Sequence, residues 1–202
     1  MRPSLLIVVC WLFVFVTSSL AGPFGLEKGM TVKQLSKLTK LRKGQRPYIY
    51  LTNKVPKPHK DIAGYILFIS PNDGLCGIRA NGVTINTSSY GDELAKAFYE
   101  VEQALTKKYG ESAIYDKLKD GSIWHGPNEW MMSLLQKERD LSAKWSIFEK
   151  KRGDYGFADN LYAITLQAYA LDKNVGYYDI FYHFDNQEKC AETFKLMDNE
   201  GL

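Results

Sequence analysis

The order of its elements predicts that this chain folds as α+β, with a largely antiparallel sheet and helices segregated to one face. Three observations carry that expectation. Helical and strand patterns come in runs (a helix, strands, helices, strands, a last helix) and do not alternate singly as in a parallel α/β fold. The stretch Tyr177 to Phe184 has period two: Tyr178, Ile180, Tyr182 and Phe184 share one face, and Tyr177, Asp179, Phe181 and His183 the other. Leu94, Phe98, Val101 and Leu105 form the apolar stripe of one long amphipathic helix. Both halves follow a helix–strands–helix order, as a degenerate internal duplication would leave it, although no motif recurs at a fixed period.

The elements follow in sequence. Thr31 caps a short helix whose Val32, Leu35 and Leu38 recur at helical spacing. Tyr48 to Thr52 is β-prone, and Pro56 and Pro58 mark a loop that holds His59. Ala63 to Ser70 and Leu75 to Ala80 read as strands around the turn Pro71-Asn72-Asp73-Gly74. Asn81-Gly82 is the strongest hairpin signal, because a type I′ turn needs two residues that tolerate positive φ, and it predicts a further strand from Val83 to Thr87. Asp92 and Glu93 suit the positive end of the long helix, Lys107 and Lys108 the negative end, and Gly110 stops it. Glu111 to Leu118 is expected to add a turn or two of helix. Pro127 opens another, with Trp130, Met131, Leu134, Leu135 and Leu141 on one side. Lys144 to Phe148, Leu161 to Leu171 and Tyr177 to Phe184 read as strands, and Asn186 to Met197 as a closing helix.

The first 21 residues have the form of a cleavable export signal. Arg2 precedes an unbroken apolar run from Leu5 to Val16, and Ser19 and Ala21 supply the small residues before a cut at Gly22. The run is shorter than the roughly 20 apolar residues of a membrane span, so a retained anchor is the lesser reading. Residues 22–202 would then form a single α+β domain, periplasmic or secreted, with no stable membrane insertion after cleavage. With 26 Lys and Arg against 23 Asp and Glu, the charge is too balanced to call for a nucleic-acid partner. Cys10 leaves with the signal. An even pair, Cys76 and Cys190, remains and points to one disulfide, with two separate buried thiols as the other reading. Asn86-Thr87-Ser88 matches a glycosylation acceptor, relevant only in a eukaryotic source.

At Gly29-Met30-Thr31-Val32-Lys33-Gln34-Leu35 the chain resembles the opening helix of the small lipoprotein of the bacterial β-barrel assembly machinery and of β-lactamase inhibitor proteins. Leu105-Thr106-Lys107-Lys108-Tyr109-Gly110 resembles a helix ending common in such proteins. The likeness spans about a tenth of the chain; this sequence is much longer than that lipoprotein and lacks its lipid-accepting cysteine after a small residue. The resemblance implies an antiparallel sheet partly covered by the Gly-Met-Thr helix, in an exported bacterial protein that works through protein contacts. No functional residue is carried over.

Chemistry-bearing motifs are sparse. His59, His125 and His183 begin no known catalytic pattern. His125 and Glu129 are four apart, but Gly126 and Pro127 interrupt any helix between them. His183 and Asp185 share a strand face without a third metal ligand nearby. Cys76, within Gly74-Leu75-Cys76-Gly77, lacks the strand-to-helix elbow of a nucleophile. Asp154, Asp159 and Asn160 fit no calcium-loop spacing, and no glycine-rich phosphate cradle exists. No cofactor is expected. The compositional excess is aromatic, 13 Tyr, 10 Phe and 4 Trp, residue types that suit interfaces. Tyr177, Phe181 and His183, on the second face of the last strand, are therefore the candidate binding residues, unless a helix covers that face. The expectation is a non-enzymatic protein that binds another envelope or extracellular protein, of inhibitor or immunity type. The alternatives are a hydrolase, whose distant histidines and carboxylates would converge, and a structural or assembly factor of the envelope.

Overall fold

The computed structural model describes residues 22–146 and 158–199; residues 1–21, expected from sequence to be an export signal, and Asp154 lie outside them. A short 3₁₀ turn at Pro23–Gly25 leads to α1 (Val32–Leu38), whose start is fixed by a capping box in which Thr31 and Gln34 exchange side-chain and backbone hydrogen bonds. Four strands follow: β1 (Arg42–Lys43), β2 (Ile49–Thr52), β3 (Ile62–Ser70) and β4 (Gly74–Gly82), with the two-residue β5 (Ile85–Asn86) behind them. The second half comprises α2 (Asp92–Tyr109), β6 (Ala113–Leu118), α3 (Trp130–Leu135), β7 (Arg139–Ser146), β8 (Leu161–Asp172), β9 (Val175–Phe184) and α4 (Gln187–Asn199).

The nine strands form one sheet in the order β1-β2-β3-β4-β9-β8-β7-β6, with β5 paired to β9. Every described pairing is antiparallel, so the fold is α+β as the segregated runs predict. The order is palindromic. Two four-stranded meanders, each preceded by a helix, meet along a seam where β4 pairs with β9. That is the arrangement an internal duplication produces, and it emerges from topology where no sequence motif repeats.

Alternation then sorts the side chains. On one face Leu67, Ile78, Ala80, Ile164, Leu166, Tyr178, Ile180, Tyr182 and Phe184 are buried in a single cluster with Leu35 of α1, Leu94, Phe98 and Leu105 of α2, and Met131 of α3. A large side chain removed from water contributes about 1.5–3 kcal/mol, so this shared cluster, not helix propensity, holds α1–α3 down. Helix α4 goes elsewhere: its Gln187, Ala191 and Phe194 line a hollow with Phe68, Gly77 and Phe181 on the opposite face. Cys190 of α4 and Cys76 of β4 lie at disulfide distance, with Sγ atoms 2.05 Å apart and Cα atoms 6.3 Å apart. Tyr48 stacks on Phe194 at 4.0 Å and donates a hydrogen bond to Asp198, and Arg46 pairs with the same carboxylate.

Several expectations change. Asn81-Gly82 makes no hairpin: it continues β4, where Asn81 pairs with Gly64 and Asp179, and Gly82 with Ile62. Glycine sits there for space, since a Cβ would come within 2.8 Å of the Tyr178 carbonyl oxygen. The tight connection is the one expected at Pro71–Asp73, where Ser70 Oγ accepts the Asn72 and Asp73 N–H groups and donates to Asp73. From Val83 to Thr87 only Ile85 and Asn86 are strand, and they pair with β9. Residues 113–118 are strand β6, not helix, because Gly110 ends α2 at φ +90° and the following Ala-Ile-Tyr run gains a full ladder against β7. Leu141 belongs to β7, where it is buried, and the helix after Pro127 stops at Leu135. The final part of the strand expected over 144–148 falls outside the described residues.

Candidate functional site: the open sheet face

The face opposite α1–α3 is built by the other half of the alternation. Across it run registered rows: Ile66, Arg79, Phe181, Thr165 and Lys144 in one, and Asn81, Asp179, Gln167, Ser142 and Tyr115 in the next. Beyond them Tyr169 and Tyr177 stand opposite each other and stack, ring centroids 5.1 Å apart. At the other end Phe68 and Phe181 stack at 5.0 Å across Gly77, whose missing side chain makes the room: a Cβ would lie 2.8 Å from the Phe181 ring. Arg79 places its guanidinium 4.9 Å over the Phe181 ring, and His183 lies 3.8 Å from the same ring.

The centre of the face is polar and nearly dry. Asp179 is only 5% exposed. Its carboxylate lies 3.6 Å from Arg79 Nε and takes a hydrogen bond from the Tyr169 phenol. Burial raises its pKa above the ordinary aspartate value, against the opposing pull of Arg79 and Tyr169. Burial likewise pushes the Tyr169 phenol up to about 12. Gln167 Oε1 lies 3.2 Å from the same phenol oxygen, so Asp179 and Gln167 share its single O–H. Arg79 Nε and Ser142 Oγ are buried without a hydrogen-bond partner among the described residues.

Of the three residues singled out from sequence, Tyr177, Phe181 and His183 do lie on this face and are each half-buried. They divide between its two ends. Tyr177 belongs to the open Tyr169 shelf, whereas Phe181 and His183 sit at the end that α4 reaches, where His183 Nδ1 bonds Gln187 at 2.6 Å. Burial lowers the His183 pKa below 6.5, partly offset by that bond. Arg79, Tyr169, Gln167 and Ser142 were not singled out; the period-two pattern of Thr165, Gln167 and Tyr169 was the available signal.

The remaining chemistry-bearing residues have structural partners. His59 Nδ1 accepts the Asp61 N–H at 3.3 Å and lies 3.7 Å from its carboxylate, both side chains exposed. Glu129 accepts the Gly126 N–H at 2.8 Å, closing the 3₁₀ turn at Pro127–Glu129. Asp185 pairs with Lys28 at 2.7 Å, and Asp159 receives Lys108 at 2.7 Å and the Tyr109 phenol at 3.0 Å. Among the described residues no three His, Cys, Asp or Glu side chains are placed to hold a metal ion. No described helix is long and apolar enough to cross a membrane. No protein-family model, curated protein or solved structure was found to match the chain.

Proposed function

We propose that this is an exported binding protein that engages another envelope or extracellular protein through the open sheet face, with Tyr177, Phe181 and His183 on its contact strand. The observation that carries the reading is the composition of that face. Tyr169, Tyr177, Phe68 and Phe181 offer aromatic area, with Arg79 between them, and this mixture of Tyr, Phe and Arg is enriched at interfaces. The Arg79 guanidinium, on a side chain 39% exposed, supplies a directional charged group that a protein surface can satisfy. An export segment at residues 1–21 and a Cys76–Cys190 pair at bonding distance fit an oxidising compartment.

The test is a paired substitution, Tyr169→Ala with Tyr177→Ala, in the exported chain. These rings stack on each other, so removing both leaves the helix-side cluster intact. Cross-linking in the native envelope fraction should yield a discrete adduct with the wild-type chain and lose most of it with the variant. The circular dichroism melt should stay cooperative, with its midpoint lowered by loss of the stack and of the Tyr169 bond to Asp179. An adduct retained at full yield by a folded variant removes this face from the function. N-terminal sequencing of the exported form should begin at Gly22, and a mature chain that retains Leu5 to Val16 would overturn the export reading.

A further inference from the structure

The two edges of the sheet are built differently. β1 is two residues long and both are charged, Arg42 and Lys43. Gly44 donates its N–H back to Ile49 at 2.8 Å, so of the two strand residues only Lys43 turns its backbone groups outward. A short charged edge of this kind resists pairing with another chain. At the other edge, β6 runs six residues in unbroken register with β7, without proline or bulge. It carries Ile114 and Tyr115 at 47% and 44% exposure. Among the described residues no strand pairs with its outer side.

The ladder with β7 identifies the outward groups. Lys119 donates its N–H to the Glu138 carbonyl at 2.7 Å, which makes 119 and 138 a hydrogen-bonded pair. Such pairs alternate along an antiparallel ladder, so Ala113, Tyr115 and Lys117 turn their backbone groups to β7. Ile114, Asp116 and Leu118 turn theirs away. Ile114 also ends the row Ala80, Ile180, Leu166 and Ala143, so the apolar helix-side layer runs out to this edge.

We propose that two copies of this chain pair antiparallel along β6, about a two-fold axis through Ile114, and so join their sheets independently of any partner on the open face. Outward backbone groups must meet outward groups, which leaves few registers. An axis at Asp116 sets two carboxylates opposite each other, and an axis at Tyr115 sets Ile114 opposite Asp116. About Ile114 the sequence complements itself, because residues equally spaced before and after it meet. Ile114 then faces Ile114, and the small Ala113 leaves room beside Tyr115 of the second copy. Glu111 faces Lys117 twice, an opposite-charge pair at each end. Both are exposed and make no ion pair among the described residues, although Asp140 stands opposite Lys117 on β7. Ser112 meets Asp116 with each already satisfied in its own chain, Ser112 by Glu102 at 2.7 Å and Asp116 by Arg139. Lys117, the kind of residue that keeps an edge unpaired, is met in this register by a carboxylate.

The test is sedimentation equilibrium of the chain across about 1–100 µM, a range that resolves the dissociation constant of a modest interface. The wild-type chain should follow a monomer–dimer equilibrium. Ile114→Pro removes an outward N–H, leaves the β7 ladder its donors, and should weaken the dimer roughly tenfold or more. Glu111→Lys should weaken it about tenfold, and adding Lys117→Glu, which restores opposite charges at the same places, should recover the loss. These two charge variants decide the matter where Ile114→Pro does not fold. The Tyr169→Ala, Tyr177→Ala chain should dimerise as wild type does; loss of its dimer would move the contact to the open face and overturn the proposal. A wild-type chain monomeric throughout the range, a folded Ile114→Pro chain that dimerises unchanged, no loss with Glu111→Lys, or no recovery with Lys117→Glu would each overturn it as well.

Discussion

Replacing both cysteines by alanine tests the link that brings α4 to the open face. Cys76 and Cys190 are separated by 114 positions. For a loop of that length the chain-entropy relation gives about 4.8 kcal/mol at 25 °C, and measured bridges more often contribute roughly 2–4. For a chain of this size, about 2–4 kcal/mol corresponds to a melting temperature lower by roughly 4–16 °C. The assay is urea and thermal unfolding of the Cys76→Ala, Cys190→Ala chain beside the oxidised wild type. Local anchoring should persist, because α4 is also held by the Tyr48–Phe194 stack, by Asp198 with Arg46 and Tyr48, and by His183 with Gln187. Hydrogen exchange over 187–199 should therefore stay slower than in an unfolded segment even as global stability drops. Two free thiols in protein recovered from its native source without reductant would refute the bridge. A stability change below about 0.5 kcal/mol would refute the loop-closure argument even with the bridge formed.

Two further outcomes follow from the open face. Burial holds the His183 pKa below 6.5 in the fold, so between that lowered value and 6.5 the unfolded chain binds a proton that the folded chain refuses. Stability therefore falls as pH drops from 7 through 6.5, and His183→Gln should flatten that part of a urea-midpoint profile; an unchanged slope would exclude His183 as its source. Gly77→Val should cost roughly 1–3 kcal/mol in thermal unfolding, since its Cβ meets the Phe181 ring at 2.8 Å and the Phe68 stack must give; a neutral result would mean that this stack yields freely.

What the sequence made legible was whatever a local pattern determines. The alternation from Tyr177 to Phe184 specified both faces of β9, and the structure buries Tyr178, Ile180, Tyr182 and Phe184 as that pattern requires. The Thr31 cap and the Gly110 stop were readable because each depends on a few adjacent residues. Asn81-Gly82 misled for a physical reason: the same dipeptide serves a tight turn and a crowded strand, and only the Tyr178 carbonyl tells them apart. Residues 113–118 misled because strand β6 depends on β7 to pair with it, more than 20 residues onward in the chain. The candidate site was half legible. Tyr177, Phe181 and His183 share one strand, whereas Arg79, Ser142, Gln167 and Tyr169 come from three others, and their meeting is a fact of register. That a helix covers part of this face was the alternative weighed from sequence; that α4 reaches the Phe181 end and leaves Tyr177 uncovered depends on where Cys76 and Cys190 meet in space.

If the open face binds a partner as proposed, its polar centre bears on selectivity as well. A sheet face made only of stacked aromatic rings would attract any apolar surface, a second copy of itself included. Here the Tyr169–Tyr177 and Phe68–Phe181 pairs are separated by Asp179, Arg79 and Ser142, so a partner cannot use both aromatic pairs without burying what lies between them. The Arg79 side chain is 39% exposed, so a surface that offers its guanidinium no acceptor strips water from a charged group without replacing it, which costs about 1–3 kcal/mol, or roughly 5- to 150-fold in affinity. Self-pairing through this face meets the same cost twice, once for each copy. On that proposal the aromatic rings supply contact area, and the Arg79 guanidinium between them rejects surfaces that are merely apolar.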